Sequence, residues 1–435
     1  MPLPVLCLLA SVASSPLPTE TTLYSGAHLI PVTSADIPNG DMLVADGEIL
    51  AIGAHGTLHV DPDTVHVVDC TGKTIMPGLI CTHSHIGGWG GGDRSGPIQP
   101  ETRIMDAIDV TDPGFRRAVA GGLTTLNIMP GSGHLSSGQT LYVKLRDADT
   151  IDDRFILDDE GKPMGGLKMA NGTNPQGGDG FPGTRGKSAS LVRQAFIDAQ
   201  HYLAKQAAAA DDPDKSPKRD LRLETLGQVL QGTRTVHHHT HRHDDIMTVL
   251  RLANEFDFNV VLHHVSDGWK VADEIAAAGA PCSIIVVDSP GGKQEAIDLS
   301  FRTGKILADA GVTIAYHTDD WITDSRYFLR SPAMGMRAGL DRETALASVT
   351  INAASMLDLE HRTGSLETGK DADFILLDGD PFSIYTNVLG TWVEGERVFD
   401  RSTPEDLLAA TGGFGAGNVK RPYMCCEEHA QEASQ

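Results

Sequence analysis

Two histidines one residue apart, His83 and His85, close an apolar run that reads T-I-M-P-G-L-I-C-T-H-S-H over residues 74–85. Side chains of an extended segment alternate between its faces, so Cys81, His83 and His85 are expected to point the same way. Two imidazoles then converge at one strand end. Such a pair chelates a borderline cation such as zinc and needs further ligands from elsewhere. The plain alternative is a strand with two half-buried structural histidines. Other donors stand far along the chain: Lys168 in G-L-K-M-A-N-G-T-N-P, His239 in H-H-H-T-H-R-H, His264 in V-L-H-H-V-S and Asp319 in H-T-D-D.

These residues need a frame that brings distant segments to one place. Apolar strand candidates at 123–129, 141–145, 167–170, 234–239, 259–264, 283–287 and 313–316 join the first histidine strand to make eight. Between them lie segments apolar at three- and four-residue spacing, 189–210, 245–256, 270–278, 299–310 and 342–357, which predict helices. Alternation of this kind predicts a (β/α)8 TIM barrel, where chemistry collects at the carboxyl ends of the strands. The donors fit that rule. His83 and His85 end strand one, Lys168 strand four, His239 strand five, His264 strand six and Asp319 strand eight. A βα unit takes about 30 residues, which accommodates one unit from His239 to His264 and two from His264 to Asp319. The glycine-rich stretch 176–186 reads as a loop over that face, and 211–219 as a charged surface excursion.

The chain ends differ from the middle. Residues 22–68 read as short strands with an Asp46-Gly47 hairpin signal, and 371–381 and 388–400 read as strands again. The expectation is a small β-sandwich domain built from 22–73 and 362–400 around a barrel at 74–361, with 1–21 a disordered or remnant export segment and 401–435 a tail. Against 35 basic residues stand 58 acidic ones, a net charge of -23 that argues against a nucleic-acid partner. Six cysteines, at 7, 70, 81, 282, 425 and 426, form neither a disulfide framework nor a C-x-x-C knuckle. The apolar run in 1–15 lacks a basic lead and is too short to span a membrane. A cytoplasmic protein is expected, with a periplasmic or secreted one the alternative if 1–15 is an export-signal remnant.

Taken together, P-G-L-I-C-T-H-S-H, G-L-K-M-A-N-G-T-N-P, H-T-H-R-H-D-D-I, V-L-H-H-V-S, H-T-D-D and G-S-L-E-T-G-K-D-A-D-F-I-L-L-D resemble, in that order, the amidohydrolase superfamily and its imidazolonepropionase-like branch. The resemblance covers about residues 22–400. It implies a metal-dependent hydrolase with metal ligands at His83, His85, His239, His264 and Asp319, and with Lys168 where some members carry a carboxylated lysine bridging two metals. Zinc is the metal expected, as one or two ions, with manganese and iron as alternatives. The implied reaction is cleavage of an amide or cyclic amide of a small molecule. A bound cation lowers the pKa of its water toward about 7, making hydroxide available; Asp319 serves as general base, and His264 as ligand or carbonyl stabiliser. A homo-oligomer is expected.

The chain departs from its relatives at Gly172-Thr173-Asn174-Pro175, where G-E-N-P is usual, so a carboxylate beside Lys168 is missing. A plain ammonium at Lys168 would repel a dication, whereas a carbamate would attract one. The other reading of Lys168 is a cation that holds a substrate carboxylate or pairs with Asp319. Asp320 competes with Asp319, since parity in a strand does not settle a turn. Alternation puts His237 and His239 on one face, leaves His238 and His243 structural or solvated, and turns His263 away from His264. Asp244 and Asp245 are expected to cap the next helix. Substrate contacts are expected from His134, His241, Arg242 and Trp89, with Thr173, Phe181, Trp269 and Trp321 as further loop candidates. Esters, lactones and short peptides stay open as substrates. A reading of another class is a catalytically silent scaffold.

Overall fold

The computed structural model describes residues 21–60, 64–88, 93, 95–177, 180–210, 212–286, 293–320, 322–413 and 416. The stretch 1–15, Trp89, Trp321 and cysteines 7, 425 and 426 lie outside the described residues. Five strands come first: β1 (Thr21–Leu29), β2 (Ile37–Ala45), β3 (Glu48–Ala54), β4 (Val65–Asp69) and β5 (Thr74–Pro77). β2 and β3 form a hairpin through Asp46 and Gly47, both at positive φ (54° and 81°), the turn whose twist matches that of the strands. Gly78 then joins β5 to β6 (Leu79–Ser84), and a Cβ there would stand 2.2 Å from Thr124. Only a bare residue permits that approach.

After β6 come α1 (Pro113–Ala120), β7 (Leu123–Ile128), β8 (Ser136–Gln139), β9 (Leu141–Lys144) and β10 (Leu167–Ala170). Asp112 starts α1 by accepting the Gly114 amide at 2.6 Å, with Pro113 in the first turn. Next are α2 (Arg185–Ala208), α3 (Leu221–Leu230), β11 (Val236–Thr240), α4 (His243–Phe256), β12 (Val260–His264), α5 (Ala272–Ala277), β13 (Cys282–Ile285), α6 (Thr303–Asp309) and β14 (Ile314–His317). β10 to β14 lie side by side and parallel, β6 pairs in parallel with β7, and the Asp319 amide donates to His83 O at 3.1 Å where β14 meets β6. This is an α/β fold of TIM-barrel type.

The third strand position departs from the regular eightfold alternation. β9 pairs antiparallel with β7, and β8 pairs antiparallel with β10, so the chain over 136–144 runs against its neighbours. The link 129–135 explains it. A crossover to a parallel strand takes a dozen or more residues, and this link is shorter, so the chain can only turn back. No α-helix separates β7 from β8 or β9 from β10; only a single 3-10 turn, Asp152–Arg154, lies in the second link.

The barrel interior is layered. Ile80, Tyr142, Val261 and Ala315 form an apolar floor with Met356, Leu357 and Leu359. Thr82, Ser283, His237, His263 and His317, all buried, lie above it. The larger apolar cluster fills the space between strands and helices and includes Leu126, Leu167, Phe196, Leu262, Ile284 and Tyr316. Among the described residues no helix is long and apolar enough to cross a membrane.

Past α7 (Arg330–Arg337), α8 (Arg342–Ala347) and α9 (Ile351–Ser355), the chain returns to its beginning with β15 (Phe374–Leu377), β16 (Val388–Val393), β17 (Glu396–Asp400) and α10 (Pro404–Thr411). The strand order is β17-β16-β15-β5-β1-β2-β3, with β4 on β1. The expected sandwich is therefore one hydrogen-bonded sheet, curled until the Ile49 amide of β3 donates to Lys370 O at 2.9 Å just ahead of β15. Tyr24, Phe374 and Trp392 fill the curl, with the last two rings stacked at 4.7 Å. Residues 74–77, read as barrel from the sequence, belong to this sheet because β5 pairs with β1 and β15. Residues 404–411, read as tail, form α10, tied to α1 by Arg116 and Asp406.

Lys144 joins barrel and sheet. Its buried ammonium pairs with Asp373 and, at 2.9 Å, with Asp371. Asp373 also accepts from Thr363 Oγ1 and the Glu394 amide, each at 2.9 Å. Removing one partner of a buried pair strands the other charge, at a cost of about 3–5 kcal/mol. Lys144→Met is accordingly expected to lower unfolding free energy by about that amount. Chemical denaturation measures it, and a loss below about 1 kcal/mol, as for exposed pairs, would contradict the assignment.

Candidate active site

Three acceptor atoms meet where β6 and β14 end. His83 Nε2 lies 3.2 Å from His85 Nε2, His85 Nε2 lies 3.1 Å from Asp319 Oδ1, and His83 Nε2 lies 3.4 Å from the same oxygen. His85 Nδ1 is 2.8 Å from Met129 O, and a carbonyl can only accept, so Nδ1 carries the proton and Nε2 the lone pair. A lone pair then faces a carboxylate oxygen. Such a contact needs a positive charge in the triangle, a proton or a metal. The edges lie within about 0.2 Å of the roughly 3.3–3.4 Å between donors of a tetrahedral cation with bonds near 2.0–2.1 Å. Imidazole nitrogens with a carboxylate suit a divalent ion, so the residues present fit one.

The other predicted donors close on this triangle. Lys168 Nζ is 3.1 Å from His83 Nε2, and His264 Nδ1 is 3.9 Å from Asp319 Oδ2. The His239 ring stands 4.4 Å from that of His264. His264 Nε2 and His239 Nδ1 are buried without a hydrogen-bond partner among the described residues. Burial, with neighbouring positive groups, holds His83, His239 and His264 well below the usual histidine range, so the rings are neutral and their lone pairs available. Burial also pushes the Lys168 ammonium down to about 7, against the opposing pull of Asp319. For Asp319, burial acts upward, but a proton on His85 Nε2, the alternative to a metal in the triangle, would hydrogen-bond the carboxyl and override burial, holding it at about 2. Asp320 turns the other way, onto Ser84 Oγ at 2.6 Å, Thr318 Oγ1 at 2.8 Å and Ser325.

Beneath the site lies a column of rings. With Lys168 donating to His83 Nε2, His83 Nδ1–H donates to His263 Nδ1 at 3.2 Å, His263 Nε2–H to His237 Nδ1 at 2.9 Å, and His237 Nε2–H to Tyr142 Oη at 2.9 Å. Each neutral imidazole thus uses one donor and one acceptor. A second line runs from His264 Nδ1 to His317 Nε2 at 3.1 Å, then from His317 Nδ1 to Ser283 Oγ at 2.7 Å and on to Thr82 Oγ1 at 2.6 Å.

Two expectations of side-chain direction fail. Cys81 does not share a face with the histidine pair; it lies in the outer apolar cluster, and Thr82 points inward. A register shift between Cys81 and Ser84 in the β6–β7 pairing breaks the alternation. His263 does not face away from His264: His264 has φ 72°, and this left-handed residue turns both rings inward.

His241 joins the group, its ring stacked 4.9 Å from His264. His134 stands beside Phe181 at 5.4 Å, in a loop near the end of β10. Arg242 does not reach the group, because its guanidinium forks onto Asp244 at 2.7 and 2.9 Å. Asp245 takes Arg185 instead of capping α4. Trp269 is exposed and donates to Asp298 O. Sequence reasoning missed His317, although its parity with Asp319 placed it below that residue. It also missed Lys293 and Glu295, which arrive on the loop after β13 with no periodic signal.

Fold and site define a class, that of barrel proteins with histidine and carboxylate donors gathered at the carboxyl ends of the strands. Comparison with known proteins agrees. The sequence profile described as "Amidohydrolase family" matches residues 202–399. An amidohydrolase from Thermotoga maritima MSB8 of solved structure superposes with a TM-score of 0.81 at 32% identity, covering 87% of this chain and 100% of that one. Amidohydrolase tasK of Hapsidospora irregularis is 27% identical over 391 residues, 83% of this chain but 40% of that protein, so the chain spans well under half of its length. The imidazolonepropionase of Symbiobacterium thermophilum is 23% identical over 383 residues, 79% of this chain and 85% of that protein. The chain belongs to the amidohydrolase superfamily, on its imidazolonepropionase-like branch, and the family implies a divalent metal.

The buried rings make stability depend on pH. Burial depresses His237 to about 3 and His238 to about 4, against roughly 6.5 in the unfolded chain. Above 6.5 neither state is charged. As pH falls toward 4 the unfolded chain binds protons that the folded one refuses, so stability is lost at up to about 1.4 kcal/mol per unit for each such ring. Denaturation midpoints of the metal-stripped chain should be lower at pH 5 than at pH 7; an equal or higher midpoint at pH 5 contradicts neutral burial.

Proposed function

We propose that this chain hydrolyses an amide or cyclic amide of a small molecule, using a divalent cation, zinc first, held by His83, His85 and Asp319 with Lys168, His239 and His264 around it. The observation that carries this reading is the triangle of facing acceptors, with edges of 3.1, 3.2 and 3.4 Å. The relatives' names, amidohydrolase and imidazolonepropionase, support a carbon–nitrogen bond as the target. When bound, such an ion polarises a carbonyl and acidifies water toward neutrality.

The protein's own groups do the rest. Asp319, anionic at neutral pH, has its Oδ2 turned toward His264 and away from His85, where it takes a proton from water and passes it to the leaving nitrogen. His264 Nε2, buried and without a partner, serves as a ligand or, bearing the ring proton, donates to the carbonyl oxygen. Lys168, with its ammonium pushed down to about 7, has a neutral fraction whose nitrogen bonds the carbon of carbon dioxide and releases a proton, and the resulting carbamate is anionic. Substrate enters past His241 and His134.

Chelation should abolish turnover on a panel of amides, cyclic amides, lactones and dipeptides, and zinc or manganese should restore it on the amide members. Asp319→Asn should keep the fold and lose about 10²–10⁴-fold in kcat, the usual span for a general base. Full activity after chelation, or in the Asn variant, would overturn the reading.

A further inference from the structure

A cavity of about 370 Å³ lies outside the barrel wall, with residues of β10 and β11 on one side and of α2 and α4 on the other. Gly186 and Ala189 of α2 leave room for it, and a Cβ on Gly186 would meet nothing within 4 Å. Leu135, Ala170, Val192 and Leu252 give it apolar walls. Cavities that hold small molecules start at about 300 Å³.

In its floor His238 stands where an aliphatic side chain is the rule. The residues paired with it in register, Met169 of β10 and Leu262 of β12, both belong to the outer apolar cluster. His238 is 3% exposed, and its Nδ1 lies 2.9 Å from His239 O. A carbonyl only accepts, so Nδ1 carries the proton and Nε2 keeps a lone pair, for which the described residues provide no donor. Asn171 also lines the cavity; its Nδ2 donates to Asp245 O at 2.9 Å, while its Oδ1 is buried without a partner among the described residues. The deep end therefore presents two neutral acceptors and calls for a neutral N–H or O–H donor.

Nearer solvent the charges are almost balanced. Arg185 is held by Asp245 and Glu295, Arg193 by Glu255, and Asp244 by Arg242. Arg251 is left over. Exposed on α4, it donates to Thr248 Oγ1 at 2.8 Å and meets no carboxylate among the described residues. A guanidinium in this position suits a planar anion of single charge, which a carboxylate is.

We propose that this cavity is a binding site for a small monocarboxylate that carries a neutral N–H or O–H donor. The donor meets His238 Nε2, the carboxylate meets Arg251, and the carbon skeleton lies against Val192 and Leu252. The site is separate from the histidine triangle and does not depend on what the triangle holds.

The test is calorimetric titration of the full chain with 4-hydroxyphenylacetate and 4-hydroxybutanoate. Controls are phenylacetate and butanoate, which lack the donor, and p-cresol and 1-butanol, which lack the carboxylate. At least one hydroxy acid should bind at one equivalent, about tenfold or more tighter than its truncated forms. His238→Leu and Arg251→Gln should each weaken that complex by about tenfold or more, as when a buried or charged group loses its hydrogen-bond partner. His85→Gln, which alters the triangle, should keep it. A denaturation midpoint for His238→Leu no lower than that of wild type shows that variant to be folded, and Arg251→Gln changes only an exposed helix position. Binding of neither acid, equal binding of the truncated forms, a complex that either cavity variant leaves at full strength, or one that His85→Gln loses overturns the site.

Discussion

Acceptor atoms that face one another in a largely buried space cannot stay as they are. His83 Nε2, His85 Nε2 and Asp319 Oδ1 are in that position, and the shape of the barrel top follows from it. A ring must be neutral to offer a lone pair, and burial keeps His83 and His264 so. Each must also have its other nitrogen occupied, or the lone pair could turn away. Met129 O does this for His85, His263 for His83 and His317 for His264. The polar middle of the barrel, where aliphatic side chains are the rule, exists to hold the top in one tautomer.

Holding these groups also costs backbone strain. His264 and Asp319 both have positive φ, 72° and 47°, in a region that side chains other than glycine seldom adopt. The surrounding structure compensates: the Asp319 amide donates to His83 O at 3.1 Å, and the Val265 amide donates to Thr240 O at 3.0 Å. Strain sits at the end of β12 and in the turn after β14, the two places where these strands deliver their functional groups.

Much of this was legible in the residues. Strand-end donors separated by whole βα units could only meet above one axis, which is why His83, His85, Lys168, His239, His264 and Asp319 were found together. Alternation also told His237 from His238, since an unbroken strand keeps its period. It failed at Cys81 and His263 because a register shift and a left-handed residue interrupt the period, and neither leaves a mark in composition. The reversed strand at 136–144 was readable from its short link, had length been weighed against pattern. Arg242 was misplaced because an acidic residue two positions on captured it, a local competition that a motif does not reveal. Lys293 and Glu295 arrive on an irregular loop, where sequence carries no phase.

The curled sheet sets an order of events during synthesis. β5 lies between β1 and β15, and the residues that complete its pairing, Phe374–Leu377, follow it by about 300 positions. At roughly 5–20 residues per second, the ribosome leaves that edge open for about 15–60 s. Throughout that interval the nascent chain carries a strand with one edge unpaired, along Ile75 and Met76, an invitation to pair with a neighbour on the same polysome. The last strands to emerge therefore close the first sheet begun, and the molecule is protected only when both ends are made.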